Sequence, residues 1–178
     1  VQPHGVRVSR GNVVVPVYER GVMVSLQFVD VNGGKKFLSG GKTKGCAFKI
    51  EGDPATVYVC EGFATGATLA EATGATVYVA FNAGNLLEVT SAAKDAHSDS
   101  EIIIAGDDDH KTDGNPGRSK AVAAGDAMRV KVIFPEVDGN DTDFNDMAKT
   151  KGIEAVRALV ERKQGTPLCD AKKIEHTS

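Results

Sequence analysis

The chain has 178 residues, 41% hydrophobic and 25% charged, which is enough apolar content to bury the core of one domain with an attached lobe. No apolar run approaches the roughly 20 residues of a membrane helix, and the opening VQPHGVRVSR lacks the apolar stretch of a signal peptide, so the reading is a cytoplasmic protein with no membrane partner. The net charge of −3 hides a split: residues 1–50 carry 8 Lys+Arg against 2 Asp+Glu, and the remainder carries 13 against 22.

A basic part beside an acidic one suits a protein that attracts phosphates with the first and holds divalent cations with the second. On charge alone, solvated surface explains the same split. Cys46, Cys60 and Cys169 are odd in number and form no C-x-x-C pair, which argues against a disulfide framework and a structural zinc site and for reduced thiols. The chain has no initiator Met and opens into strand-like sequence, so it reads as a piece of a longer polypeptide.

The first fifty residues read as β-structure: VRVSR, NVVVPVYE, VMVSLQFVDV and KKFL, broken by Gly11, Gly21 and the Gly33-Gly34 pair. Pro16 suggests an edge or a bulge in the second run. From Thr56 strands and helices alternate. TVYVC, TVYVAF, EIIIAG and VKVIFP are short, continuously apolar strands, separated by the helical runs ATGATLAEAT, NLLEVTSAAKDAH and GRSKAVAAGDAMR. That order implies an α/β fold with a four-stranded parallel sheet and helices on both faces. A helix GIEAVRALVERK follows an acidic loop. The expected division is a β-rich basic lobe over 1–52, the α/β domain over 53–163 and a polar tail or linker over 164–178.

In an open parallel sheet, ligands gather at the carboxyl ends of the strands. Three of those ends are acidic here: TVYVC runs into Glu61-Gly62, EIIIAG into Asp107-Asp108-Asp109, and VKVIFP into EVDGNDTDFND. Neighbouring carboxylates repel and are costly to desolvate unless a cation neutralises them. Oxygen ligands without thiolate pairs point to Mg²⁺ or Mn²⁺ rather than zinc. Taken singly, each element has a plainer explanation as a turn, a solvated loop or a helix cap.

The segments VYVCEGFATGATLAEATG, IIIAGDDDH and TDFNDMA, in that order, resemble the Toprim domain of bacterial-type primases, topoisomerases and related nucleases, over about Thr56 to Lys151. The resemblance implies a Rossmann-like Toprim fold in which Glu61 is catalytic or metal-binding and Asp107 and Asp109 hold Mg²⁺. A third acidic element occurs in many members; its best matches are Asp143 and Asp146.

The preceding stretch GNVVVPVYERGVMVSLQFVDVNGGKKFLSGGKTKGCAFKI looks like the β-rich lobe of phage, plasmid and other mobile-element primases. It implies the catalytic core of a DNA primase, with single-stranded DNA and ribonucleoside triphosphates as partners and a helicase or another domain elsewhere in the polypeptide. Lys36, Lys42 and Lys44 would then face the acidic cluster and bind phosphates, or else form a solvated β-edge. Asn82 and Asn85 open a helix where backbone donors could hold phosphate, though capping explains them nearly as well.

The competing readings are a Toprim nuclease using the same acids and a non-catalytic, recombination-mediator-like DNA-binding module. The glycine-rich stretch NGGKKFLSGGKTKG misses the P-loop spacing and lies between strands. Tyr18, Tyr58 and Tyr78 all fall in strand-like runs, unlike a topoisomerase nucleophile. His110 reads as a surface residue beside the D-x-D, and Cys60 as core.

Overall fold

The structure is a computed structural model that describes residues 3–164; the expected tail from residue 165 on, with Cys169, lies outside the described residues, and Gln164 belongs to the last helix. An antiparallel sheet comes first in the chain: β1 (Arg7–Ser9), β2 (Asn12–Glu19), β3 (Val22–Val29) and β4 (Lys35–Phe37), in spatial order β1-β2-β3-β4. Pro16 pairs with Leu26 of β3 and lies past the last β1 pair, Arg7 with Val14, so its missing N–H interrupts no ladder on that side. The register shifts one residue later, between Val17 and Tyr18.

The second sheet contains β5 (Phe48–Ile50), β6 (Asp53–Cys60), β7 (Ala75–Val79), β8 (Glu101–Ala105) and β9 (Lys131–Ile133), in the order β5-β7-β6-β8-β9. The last four strands are parallel to one another, as the alternation of strand and helix implies. β5 adds an antiparallel edge, pairing Phe48 with Val79 and Ile50 with Val77. Sequence reading did not assign this strand, because three residues are too few to show a period.

Helices cover both faces. On one, α2 (Leu86–Ala96) and α3 (Pro116–Met128) pack Leu86, Val89, Ala93, Ala121 and Ala124 against Val57, Val59, Ile102 and Ile104. On the other, α1 (Phe63–Thr73), α4 (Phe144–Lys151) and α5 (Ile153–Gln164) pack Leu69, Ala72, Phe144, Met147, Val156 and Leu159 against Tyr58, Cys60, Ile103 and Ala105. Successive strand residues thus serve opposite cores, as the two-residue pleat requires. Gly66 lets α1 approach closely, since a Cβ there would stand 2.8 Å from Val79 Cγ2 and 3.2 Å from Cys60 Sγ. α4 begins inside the expected acidic loop, and only Phe144, Met147 and Ala148 mark its inner face. Cys46 and Cys60 are buried free thiols.

Backbone and side-chain ties join the sheets. Tyr18 and Ala47 exchange N–H···O bonds of 2.9 Å in both directions. Asn85 is buried and bridges the lobes: its Oδ1 accepts from Gly45 N at 2.7 Å, and its Nδ2 donates to Thr43 O, Cys46 O and Ala80 O at 2.9 to 3.1 Å.

Candidate metal and nucleotide centre

Glu61 follows β6 and Asp107 to Asp109 follow β8, the adjacent parallel strand, so both acidic segments emerge at one sheet edge. Gly117, in the first turn of α3, is where they meet. A Cβ built there would lie 2.8 Å from Asp109 Oδ2, 3.1 Å from the Asp107 carbonyl and 3.3 Å from Glu61 Oε1. Carboxylates touching one point from two sides are within a few ångströms of each other. The Gly117 N–H donates to Asp109 Oδ2 at 3.2 Å.

Burial pushes the Glu61 carboxyl up to about 7, with Asp109 adding to the rise, while the backbone amides of Asp107 and Ala83 and the Lys35 ammonium oppose it. Asp107 rises to about 8, first through burial and then through the negative charges of Glu61, Asp143 and Asp109, again opposed by Lys35. Glu61 Oε1 and Asp107 Oδ1 are both buried and have no hydrogen-bond partner. Buried polar atoms are almost always satisfied. Two orphaned carboxyl oxygens at one acidic sheet edge are what a hard divalent cation would complete. Among the described residues, no three His, Cys, Asp or Glu side chains are already arranged as a chelate.

The other acids divide. Asp143 faces Asp107 and its carboxyl is raised, chiefly by burial. It also caps α4, accepting from Asp146 N at 2.8 Å. Asp146 is turned to its own segment, with Oδ2 accepting from Thr142 N at 3.2 Å and Oδ1 3.1 Å from Lys149 Nζ. These bonds fix the start of α4 and Asp143 with it. Asp108 takes the other side of the D-x-D, accepting from Asn115 Nδ2 at 2.6 Å and from Arg118, whose guanidinium lies 4.1 Å above the Phe134 ring. His110 links the two acidic loops, its ring nitrogens lying 3.0 Å from Asp108 O and 3.2 Å from Gly139 O.

The basic residue that reaches the carboxylates is Lys35, which sequence reading passed over. Its Nζ comes within 3.5 Å of a Cβ position at Gly62, and its charge acts on both Glu61 and Asp107. Lys36 is the next residue of β4 and therefore projects from the opposite face. Lys42 pairs with Glu19 at 2.6 Å, and Lys44 lies 3.7 Å from Glu88. These three lysines are not the ones brought to the acidic cluster. The strand alternation that separates Lys35 from Lys36 was the available signal, but the register of β4 was not.

Asn82 is exposed, and its side chain makes no capping bond. The Asn85 side chain is not free for a ligand, since its donors and acceptor are already used between the lobes. Just before them, Phe81 is buried and adopts φ +71°, a conformation that costs a bulky residue on the order of 1–3 kcal/mol and persists only where its surroundings hold it. Its ring meets the Phe37 ring edge-on, with centroids 5.7 Å apart. A cavity of about 1040 Å³ lies between the β2–β3 turn, β5 and α2, and none of the clustered carboxylates lines it.

Known proteins bear on this geometry. The profile described as "Toprim domain" matches residues 56–154. Two relatives from Escherichia coli, both named DNA primase TraC, are 37% and 38% identical over 131 residues, covering 68% of this chain. The chain spans only 12% and 9% of their lengths. Among solved structures, the RNA polymerase domain of Mycobacterium tuberculosis primase DnaG aligns with TM-score 0.62 at 17% identity, covering 90% of this chain and 60% of that one. The zinc-binding and RNA polymerase domains of the Aquifex aeolicus primase align with TM-score 0.60 at 15% identity, covering 85% and 40%. These likenesses carry the fold, including the β-rich lobe, well beyond the profile match. With the profile covering more than half of its length, the chain belongs to the Toprim domain family, in the form found in bacterial-type primases.

Proposed function

We propose that this Toprim domain is the catalytic core of a DNA primase, which joins ribonucleotides on a single-stranded DNA template with Mg²⁺ or Mn²⁺. The observation that carries the reading is the pair of buried, unpartnered oxygens on Glu61 and Asp107, beside Asp109 at one sheet edge and faced by a lysine from the basic lobe. Glu61, Asp107 and Asp109 would hold the metal, with Asp143 beside them and Asp146 fixing the Asp143 segment. When bound, a divalent cation there neutralises triphosphate charge and lowers the pKa of an attacking hydroxyl. Lys35 contributes a fixed positive charge on the opposite wall, and the Gly117 amide orients Asp109. The lobe's remaining lysines track the template electrostatically at longer range. Helicase or template-reading functions belong to other parts of a longer polypeptide.

The tyrosines do not favour a topoisomerase: Tyr58 is fully buried and Tyr78 bonds His97 at 3.1 Å. The test is primer synthesis on mixed single-stranded templates with Mg²⁺ or Mn²⁺. Template-dependent oligoribonucleotides that vanish in Asp109→Asn are expected. Shortened DNA in the absence of nucleotides would make the protein a nuclease, and no metal binding at millimolar Mg²⁺ would leave a binding module.

A further inference from the structure

Phe37 is an unusual residue for its position: a phenyl ring 36% exposed at the end of a three-residue strand, two residues from Lys35. It shares a face of β4 with Lys35, because residues two apart on a strand point the same way and stand about 7 Å apart. Lys35 reaches Gly62 and the Glu61 and Asp107 carboxylates. The ring is not free to swing. It packs edge-on against Phe81, which is buried, held at positive φ, and two residues before the Ala83 amide that faces Glu61. An exposed aromatic ring packed on a buried, strained partner, on the strand face shared with a lysine whose charge acts on the carboxylates, has the properties of a stacking platform.

We propose that Phe37, backed by Phe81, is the nucleobase subsite for a nucleoside triphosphate whose phosphates lie toward Lys35 and the carboxylate centre. This deepens the function proposed above and rests on it. Stacking uses the π-face that every base has, so the platform accepts all four nucleotides and holds purines more firmly. The exposed Asn82, next to Phe81, lies close enough along the chain to border the same ligand.

The test measures equilibrium binding to the full chain, with Mg²⁺ and no template, of two probes: ATP and inorganic tripolyphosphate. The second carries the phosphates without the base. Phe37→Ala should weaken ATP binding by at least about fivefold, the low end of base–aromatic stacking, while tripolyphosphate affinity stays within about twofold. Phe37→Trp should keep or improve ATP binding. If Phe37→Ala binds ATP like the parent, or loses both probes equally, the ring is not a base platform and the inference falls alone. If the parent binds neither probe, the carboxylate centre is not a nucleotide site, and the proposed function falls with it.

Discussion

The amide of Gly117 donates to Asp109 Oδ2 at 3.2 Å, and a single methyl group at that glycine would come within 2.8 Å of the same oxygen. The first turn of α3 therefore sets where the second carboxylate of the D-x-D can stand. Gly117→Ala should cost about 1–3 kcal/mol through overpacking, outweighing the roughly 1 kcal/mol that alanine gains over glycine in a helix. It should also reduce the rise in melting temperature produced by Mg²⁺, because Asp109 is displaced from Glu61. Thermal melts with and without metal check this; a variant with the parent's full Mg²⁺ response would separate Gly117 from the metal centre.

Stability should depend on pH in a definite direction. In the folded chain Glu61 sits near 7 and Asp107 near 8, against ordinary values of 4.5 and 3.8, so the native state keeps protons that the unfolded chain releases. That stabilisation is complete below about pH 4 and is lost as pH rises through 7 and 8. The metal-free protein should melt progressively lower between about pH 5 and pH 9. Mg²⁺ should reverse the loss, most strongly at the alkaline end, since the bound ion replaces the protons. Asp107→Asn should flatten the metal-free profile and shrink the Mg²⁺ effect. A parent profile that rises over the same range would contradict the burial of these two groups.

Lys35→Ala should weaken single-stranded DNA or nucleotide binding more than the triple replacement of Lys36, Lys42 and Lys44 with Ala. Lys42 and Lys44 already face Glu19 and Glu88, and Lys36 lies on the other face of β4. If Lys35 contacts one phosphate, the slope of log affinity against log salt should fall by about 0.7 for a single strand. Binding titrations at several salt concentrations decide the matter, and a larger effect of the triple variant would return the phosphate contacts to the lysines expected from sequence.

Asn85→Ala should act on stability. It strips a buried bridge of four hydrogen bonds and leaves the Gly45 N–H and the Ala80 and Cys46 carbonyls short of partners, at about 1–3 kcal/mol for an unsatisfied buried group. Urea denaturation should show the loss. Unchanged stability would mean that the Tyr18–Ala47 bonds and the shared core around Val15, Val17 and Phe48 hold the lobes together without it.

The parallel sheet, its helices and the acidic strand ends were legible because apolar runs such as EIIIAG and carboxylates immediately after them are local features. Glu61, Asp107 and Asp109 stand at those ends, and the resemblance to Toprim domains is what singles them out. Lys35 could not be separated from Lys36, since which face of β4 meets the cleft depends on its pairing with β3, where Val29 opposes Lys35. Asn85 looked like a ligand group because nothing near it in sequence shows that residues 43–46 fold onto it. α4 was missed because two turns carry too little apolar periodicity to stand out from the acidic loop that caps them.

β5 closes one side of the parallel sheet although it belongs, in sequence, to the basic half of the chain. A fragment begun at Asp53 would leave the backbone of β7, with Val77 and Val79, as an open edge able to pair with another molecule. Such a fragment would tend to aggregate whatever its catalytic residues. A well-behaved minimal unit has to start upstream of Phe48, and the separability of the two halves is limited by a strand of three residues.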